Sequence, residues 1–174
     1  MERSEKIILA VMVLLLAGVM AAVLLLRNQQ PPAPEPEPAA QEFVAPAFET
    51  EAVSGTPTLD EEALFYRMLD ISDEFRVGVC GRLSANAEGS VDVYYTSAET
   101  NAVWTRLQIL TETGEQLGAT GVLHPGEYVR ALHLDTLPEE NCSVVLRFLS
   151  YEPETYYSRG TATATVSLTV PEHP

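Results

Sequence analysis

From Thr161 to Val170 the sequence alternates without a break. Ala162, Ala164, Val166, Leu168 and Val170 are separated by Thr161, Thr163, Thr165, Ser167 and Thr169. Successive side chains on a strand point to opposite faces, so this rhythm predicts a strand with one buried and one wet face. Looser versions of the same rhythm run through 75–83, 90–96, 102–111, 116–123, 127–135 and 141–151. Turn-forming stretches separate most of them: 86–89 (NAEG), 112–114 (ETG), 124–126 (HPG) and 137–141 (LPEEN). Short strands at this spacing, bounded by Gly and Pro turns, predict an all-β fold. We expect an immunoglobulin- or fibronectin-like sandwich of about seven strands over 75–170.

Ahead of that region the pattern changes three times. Residues 7–26 (IILAVMVLLLAGVMAAVLLL) contain no charge and nothing more polar than a thioether. About twenty apolar residues in a helix span the hydrocarbon core of a bilayer. A cleaved signal peptide is the rival reading, with small residues around 19–21, but the apolar run continues past that point. Residues 27–57 form a Pro- and Glu-rich linker, with Pro31, Pro32, Pro34, Pro36 and Pro38 at its densest part. Proline fixes φ and donates no backbone hydrogen bond, so 31–38 favours extended polyproline II and reaches about 25 Å. Within the linker, 42–48 (EFVAPAF) reads either as a weak docking strand or as more linker, and linker is the expectation. Residues 58–70 (TLDEEALFYRMLD) open with Thr58 and carry Glu61 three positions later, a capping-box pattern. With Leu64, Phe65, Met68 and Leu69 on one side, they predict a short amphipathic helix. A helix of that length is marginal alone and needs a surface to dock on.

Charge supports this division. The chain of 174 residues has net charge −15, with 25 acids against 10 bases. With +1 up to Arg27 against a chain total of −15, the remainder carries −16. Such a body repels phosphate, which excludes nucleic acid as an expected partner. Arg3 and Lys6 precede the apolar run and Arg27 alone follows it closely. Positive flanks stay cytoplasmic, so residues 1–6 are expected inside as a cytoplasmic tip. The remainder is expected outside the cell membrane, on a single-pass anchor. This plan of one span, a Pro/Glu linker and a compact β domain resembles that of many bacterial envelope proteins.

Candidate chemistry is sparse. Catalysis by a nucleophile needs a base and an oxyanion hole brought to it. The sequence has no Gly-x-Ser-x-Gly elbow, no Ser-x-x-Lys and no Gly-rich phosphate loop, and its one lysine, Lys6, flanks the apolar run. The expectation is a non-enzyme without cofactor. His124, His133 and His173 are not spaced with Cys or carboxylates as zinc sites require, so no metal is expected. Cys80 and Cys142 are the only cysteines. Outside the membrane a pair invites a disulfide. Parity opposes it: Cys142 aligns with Val144, Leu146 and Phe148 on the core side, while Cys80 aligns with Arg76 and Arg82.

The same parity puts Trp104 and Arg106 on the outer face of one strand, and Arg147, Leu149 and Tyr151 on the outer face of another. If the two strands are neighbours, these five residues form one patch. Trp, Tyr and Arg dominate binding energy at interfaces. Tyr156 and Tyr157, in the loop 151–160, add a second candidate at a sandwich tip. The functional reading is a partner surface for a protein of the cell envelope, or alternatively a carbohydrate or cell-wall platform. The competing reading is that the helix over 58–70 covers the face, or that a bulge turns Trp104 inward. The need of so short a helix for a dock favours that competing reading.

Overall fold

A computed structural model describes residues 44–73 and 75–171, with Leu15, Leu16 and Met20 placed in helix. Among the described residues there are ten strands: β1 Val53–Ser54, β2 Arg67–Ser72, β3 Phe75–Val79, β4 Arg82–Ser84, β5 Ser90–Ser97, β6 Trp104–Thr111, β7 Gln116–Ala119, β8 Glu127–His133, β9 Cys142–Tyr151 and β10 Ser158–Thr169. They form two five-stranded sheets, ordered β1-β8-β5-β3-β2 and β4-β10-β9-β6-β7. All neighbours are antiparallel except β10 and β4, which run parallel. The chain between Val44 and Pro171 is thus an all-β sandwich.

The core lies between the sheets and is built from the alternating positions. Val144, Leu146 and Phe148 of β9 and Leu107 and Ile109 of β6 face Val77, Val91, Val93 and Tyr95 of the other sheet, all essentially inaccessible to water. Phe148 stacks on Tyr95 across the gap, with ring centroids 6.3 Å apart. At about 25 cal/mol per Å² of apolar surface removed from water, a ring of this size contributes several kcal/mol.

Four features differ from the pattern-based expectation. The expected helix over 58–70 is absent. Residues 61–65 are turns, started by Asp60, whose carboxylate accepts the Glu62 amide and whose carbonyl accepts the Ala63 amide. Phe65 then takes a left-handed φ of 56°, which ends any helical path. Arg67–Ser72 continue as β2, paired with β3, with Leu69 and Ile71 half-buried at period two. An isolated helix this short is weak, whereas an open edge at β3 satisfies the backbone of six residues. The Tyr66 ring also lies directly over Gly78 of β3, at a site where no side chain larger than hydrogen fits.

The second difference is that the expected strand 75–83 divides into β3 and β4. Cys80 turns into the core between them, its amide bonded to the Val93 carbonyl at 3.0 Å. Third, the end of the stretch read as linker is part of the sandwich. Val122 donates its amide to the Ala47 carbonyl and accepts the Glu49 amide, both at 2.9 Å, and the Glu49 carboxylate takes the Gly121 amide at 2.7 Å. Ala47–Glu49 therefore lie as an extended strip beside Gly121–Val122, and Val53–Ser54 pair with β8. Fourth, the buried cysteine is Cys80, whereas Cys142, expected on the core side, is half-buried at a strand end; both are free thiols. The expected membrane span at 7–26 and most of the linker lie outside the described residues. Among the described residues, no helix is long and apolar enough to cross a membrane.

Candidate functional site

Antiparallel pairing of β6 with β9 sets Trp104 opposite Tyr151, Arg106 opposite Leu149 and Gln108 opposite Arg147. The two strands named from parity are neighbours, and their outward residues share one face. Trp104, Arg106, Arg147, Leu149 and Tyr151 are all half-buried there. The alternating Thr161, Thr163 and Thr165 of β10 continue the face outward, opposite Leu149, Arg147 and Val145. The segment 58–70 does not cover it, because its C-terminal part belongs to the opposite sheet as β2.

The upper end of the face is closed by aromatic rings that sequence reasoning did not bring together. Phe48 stands edge-on to Trp104, with centroids 4.9 Å apart and planes at 76°. His124 stacks on Phe48 at 4.3 Å and 12°, and also meets Trp104 edge-on. Tyr156 meets Trp104 at 5.2 Å and 67°, and Tyr151 lies 6.2 Å from Tyr156. Edge-to-face contacts align the positive rim of one ring with the negative face of another, each worth about 0.5–1.5 kcal/mol beyond burial. His124 is held from below by Glu127, whose carboxylate accepts its backbone amide at 2.8 Å and lies 3.1 Å from Nδ1. Tyr156 reaches Trp104 from a loop tip where Glu154 and Tyr156 take left-handed φ values of 67° and 57°. Tyr157 is not in the cluster; it points to solvent, 72% exposed.

Phe48 and His124 had no legible signal. Phe48 sits in a stretch rich in Ala and Pro, and His124 precedes a turn, so neither belongs to a periodic run. Their meeting depends on the strip Ala47–Glu49 crossing to Gly121–Val122, a contact more than seventy residues apart in the chain.

Electrostatically this sheet stands apart. The strands β4, β6, β7, β9 and β10 contain no Asp or Glu, in a chain with 25 acids, yet carry Arg82, Arg106, Arg147 and Arg159. Arg106 is fixed by donating from Nε to the Thr120 carbonyl at 2.8 Å. Arg147 makes no ion pair among the described residues. The other sheet differs. There Arg130 is neutralised by Asp60 at 3.1 Å, Glu62 at 2.5 Å and Asp92 at 3.1 Å, and lies over the Tyr94 ring.

The thiol of Cys80 is pushed up to about 11 by its burial, which keeps it protonated and inert. Cys142 is also raised, by burial and then by Glu112. A groove of about 590 Å³ beside Tyr66, Met68, Arg76 and Thr96 is lined by no His, Cys or Lys. Among the described residues no three His, Cys, Asp or Glu side chains converge as metal ligands do. The chain matches no protein-family model and no curated protein.

Proposed function

We propose that this chain is a non-enzymatic accessory module of a cell-envelope assembly. In this reading residues 7–26 anchor it in the cell membrane as a single pass, with the N-terminus cytoplasmic. The Pro/Glu linker holds an immunoglobulin-like sandwich outside the cell, where it meets a protein partner. The observation that carries the reading is the outer face of β6 and β9. Trp104, Arg106, Arg147, Leu149 and Tyr151 lie together there, half-exposed, on the one sheet free of acids. Aromatic and Arg side chains with apolar neighbours are what an interface centre uses, and two arginines on an acidic molecule select for an anionic or polar counter-surface.

A saccharide platform is the second class of ligand, and the cluster geometry supports it less. Stacking on a sugar needs an open ring face, but Trp104 is ringed at steep angles by Phe48, His124 and Tyr156. The deciding experiment uses the full chain in its native membrane. Arg147→Glu should leave the thermal melt unchanged and weaken capture of the partner by chemical crosslinking at least tenfold, about 1.4 kcal/mol. Undiminished capture by a folded Arg147→Glu variant removes the face from the interface. Quenching of Trp104 emission by cell-wall saccharides, with no protein crosslink, transfers the site to the carbohydrate reading.

A further inference from the structure

Segment Gly121–Leu123 extends the sheet beyond β6. Leu123 exchanges both backbone hydrogen bonds with Thr105 of β6, at 2.8 and 3.0 Å. Val122 turns its amide and carbonyl the other way, to the strip Ala47–Glu49. With the strip removed, the Gly121 amide and both backbone groups of Val122 stand open. Seat and occupant are held very differently. Thr105, Val122 and Leu123 are inaccessible to water. Thr120, next to them, accepts the Leu107 amide on Oγ1 at 3.0 Å and holds Arg106 through its carbonyl. In the strip, Val44, Ala45, Ala47 and Phe48 are exposed. One β-bridge, the Glu49 carboxylate and the Phe48 ring fasten it. A turn at Thr50–Glu51 follows. Beyond the turn, the Gly55 amide bonds to the Gly126 carbonyl at 2.7 Å and Pro57 is buried. Release of 44–49 therefore pivots at the turn and leaves the rest of the segment in place. Elements with few buried contacts open at a small part of the free energy of global unfolding.

We propose that the strip is a removable cover, and that Gly121–Val122 with the rings of Trp104 and His124 is a seat for an extended segment of the protein partner. This rests on the reading of the β6–β9 face as a partner surface, and it names the partner's chemistry at the upper end of that face. The strip itself shows what the seat accepts. The segment runs parallel to Gly121–Val122, sets an aromatic ring against His124 and Trp104, and places a carboxylate on the Gly121 amide one residue later. Strand addition supplies affinity through the main chain, and the pocket for one side chain supplies choice. Charge favours the acid in that segment. The strands of this sheet carry no Asp or Glu, and Arg106 is bonded to the residue beside Gly121. Charge also disfavours a second copy of the chain as the occupant, since two bodies of net charge −15 repel. The strip competes from its own tether, at an effective concentration of the order of millimolar. A partner gripping the β6–β9 face is held beside the seat in the same way. Its apparent affinity falls by the fraction of chains whose seat is covered, so the strip keeps the full site in reserve.

The test uses the full, detergent-solubilised chain and a synthetic peptide of residues 44–51 (VAPAFETE), read by Trp104 emission. Phe48→Ala loosens the cover and leaves the seat whole. The peptide should shift the emission of that variant back to the blue, with affinity about tenfold tighter than for wild type. A peptide with alanine in place of its phenylalanine should not do so. Gly121→Ala, which spoils the seat, should not respond to either peptide. Glu49→Ala, which keeps the ring, should tighten peptide binding by less. In native membranes, Phe48→Ala should raise chemical crosslinking to the partner about tenfold, and the peptide should compete it away. Emission of Phe48→Ala unmoved by about 1 mM peptide, the weak end of specific binding, overturns the proposal. Partner capture by Phe48→Ala no greater than by wild type also overturns it, and makes the strip a fixed brace. A doubled protein mass by light scattering that Phe48→Ala abolishes overturns it too, and gives the seat to the strip of a second copy. Arg147→Glu keeps the two readings apart: undiminished capture there removes the β6–β9 face, while peptide binding at the seat is untouched by that change.

Discussion

Replacing Phe48 by alanine removes the ring that closes the aromatic cluster from the N-terminal side. Phe48 is 38% exposed, so rather more than half of its surface is covered by Trp104, His124 and Tyr156. A phenylalanine buries about 150–250 Å² when enclosed. The part covered here, roughly 100–150 Å², is worth about 3 kcal/mol at 25 cal/mol per Å². Releasing Ala47–Glu49 returns backbone freedom of about 1–2 kcal/mol per residue, which limits the net loss. We expect Phe48→Ala to cost about 2 kcal/mol. Trp104 is the chain's only tryptophan, so its emission reports this site alone. The expected result is a red shift of native emission together with a lower urea midpoint at unchanged m-value. Gly121→Ala supplies an independent route to the same event. A Cβ there would fall on the Glu49 amide and within 2.7 Å of the Phe48 carbonyl carbon, so the strip must leave. If each variant releases the same strip, their losses do not add, and the double variant is little worse than either single one. Unchanged emission in Phe48→Ala, or additive losses in the double variant, refutes the docking of this strip.

Four further outcomes follow from the same structure. Native chain should react with a thiol reagent at Cys142 at most, and denatured chain at both cysteines. Because burial raises the Cys80 thiol from 9.0 to about 11, its contribution to stability is complete below pH 9 and lost as pH rises towards 11. That alkaline loss, about 2 kcal/mol from a two-unit shift, should be missing from Cys80→Ala when melts at pH 8 and pH 11 are compared. Gly78→Ala should cost about 1–2 kcal/mol in chemical unfolding. The new methyl displaces the Tyr66 ring and its hydrogen bond to Thr96 at 3.0 Å, and the same loss in Tyr66→Phe would show that the hydroxyl, not the ring position, is responsible. Tyr95→Phe should leave stability unchanged or slightly higher, since its buried hydroxyl has no aligned partner among the described residues. A loss above about 1 kcal/mol would show a hidden partner.

The strands of the sandwich were legible because each residue's burial follows its own period. The runs 90–96, 102–111, 127–135, 141–151 and 161–170 fall on β5, β6, β8, β9 and β10 with ends shifted by a few residues. The pairing of β6 with β9, and so the shared face of Trp104 and Arg147, also follows from alternation once the fold class is set. The stretch 58–70 was misread because a helical spacing of apolar residues there coincides with an edge strand, and pairing with β3 outweighs local propensity. Cys80 was misplaced because a strand break reverses parity, and nothing in Val79–Cys80–Gly81 except the glycine announces it. The aromatic cluster was illegible as a unit. Its members come from the strip, β6, a turn, the end of β9 and a loop tip, and their meeting depends on long-range strand order rather than on any local pattern.

The central claim is that the acid-free outer face of β6 and β9 meets a protein partner. It is tested most directly by placing a photoreactive phenylalanine analogue at position 147, and separately at position 67 on the opposite sheet, in the full chain in its native membrane. The account predicts a discrete crosslinked protein from 147 and none from 67. Equal yields at the two positions, or crosslinking from 67 alone, would contradict it.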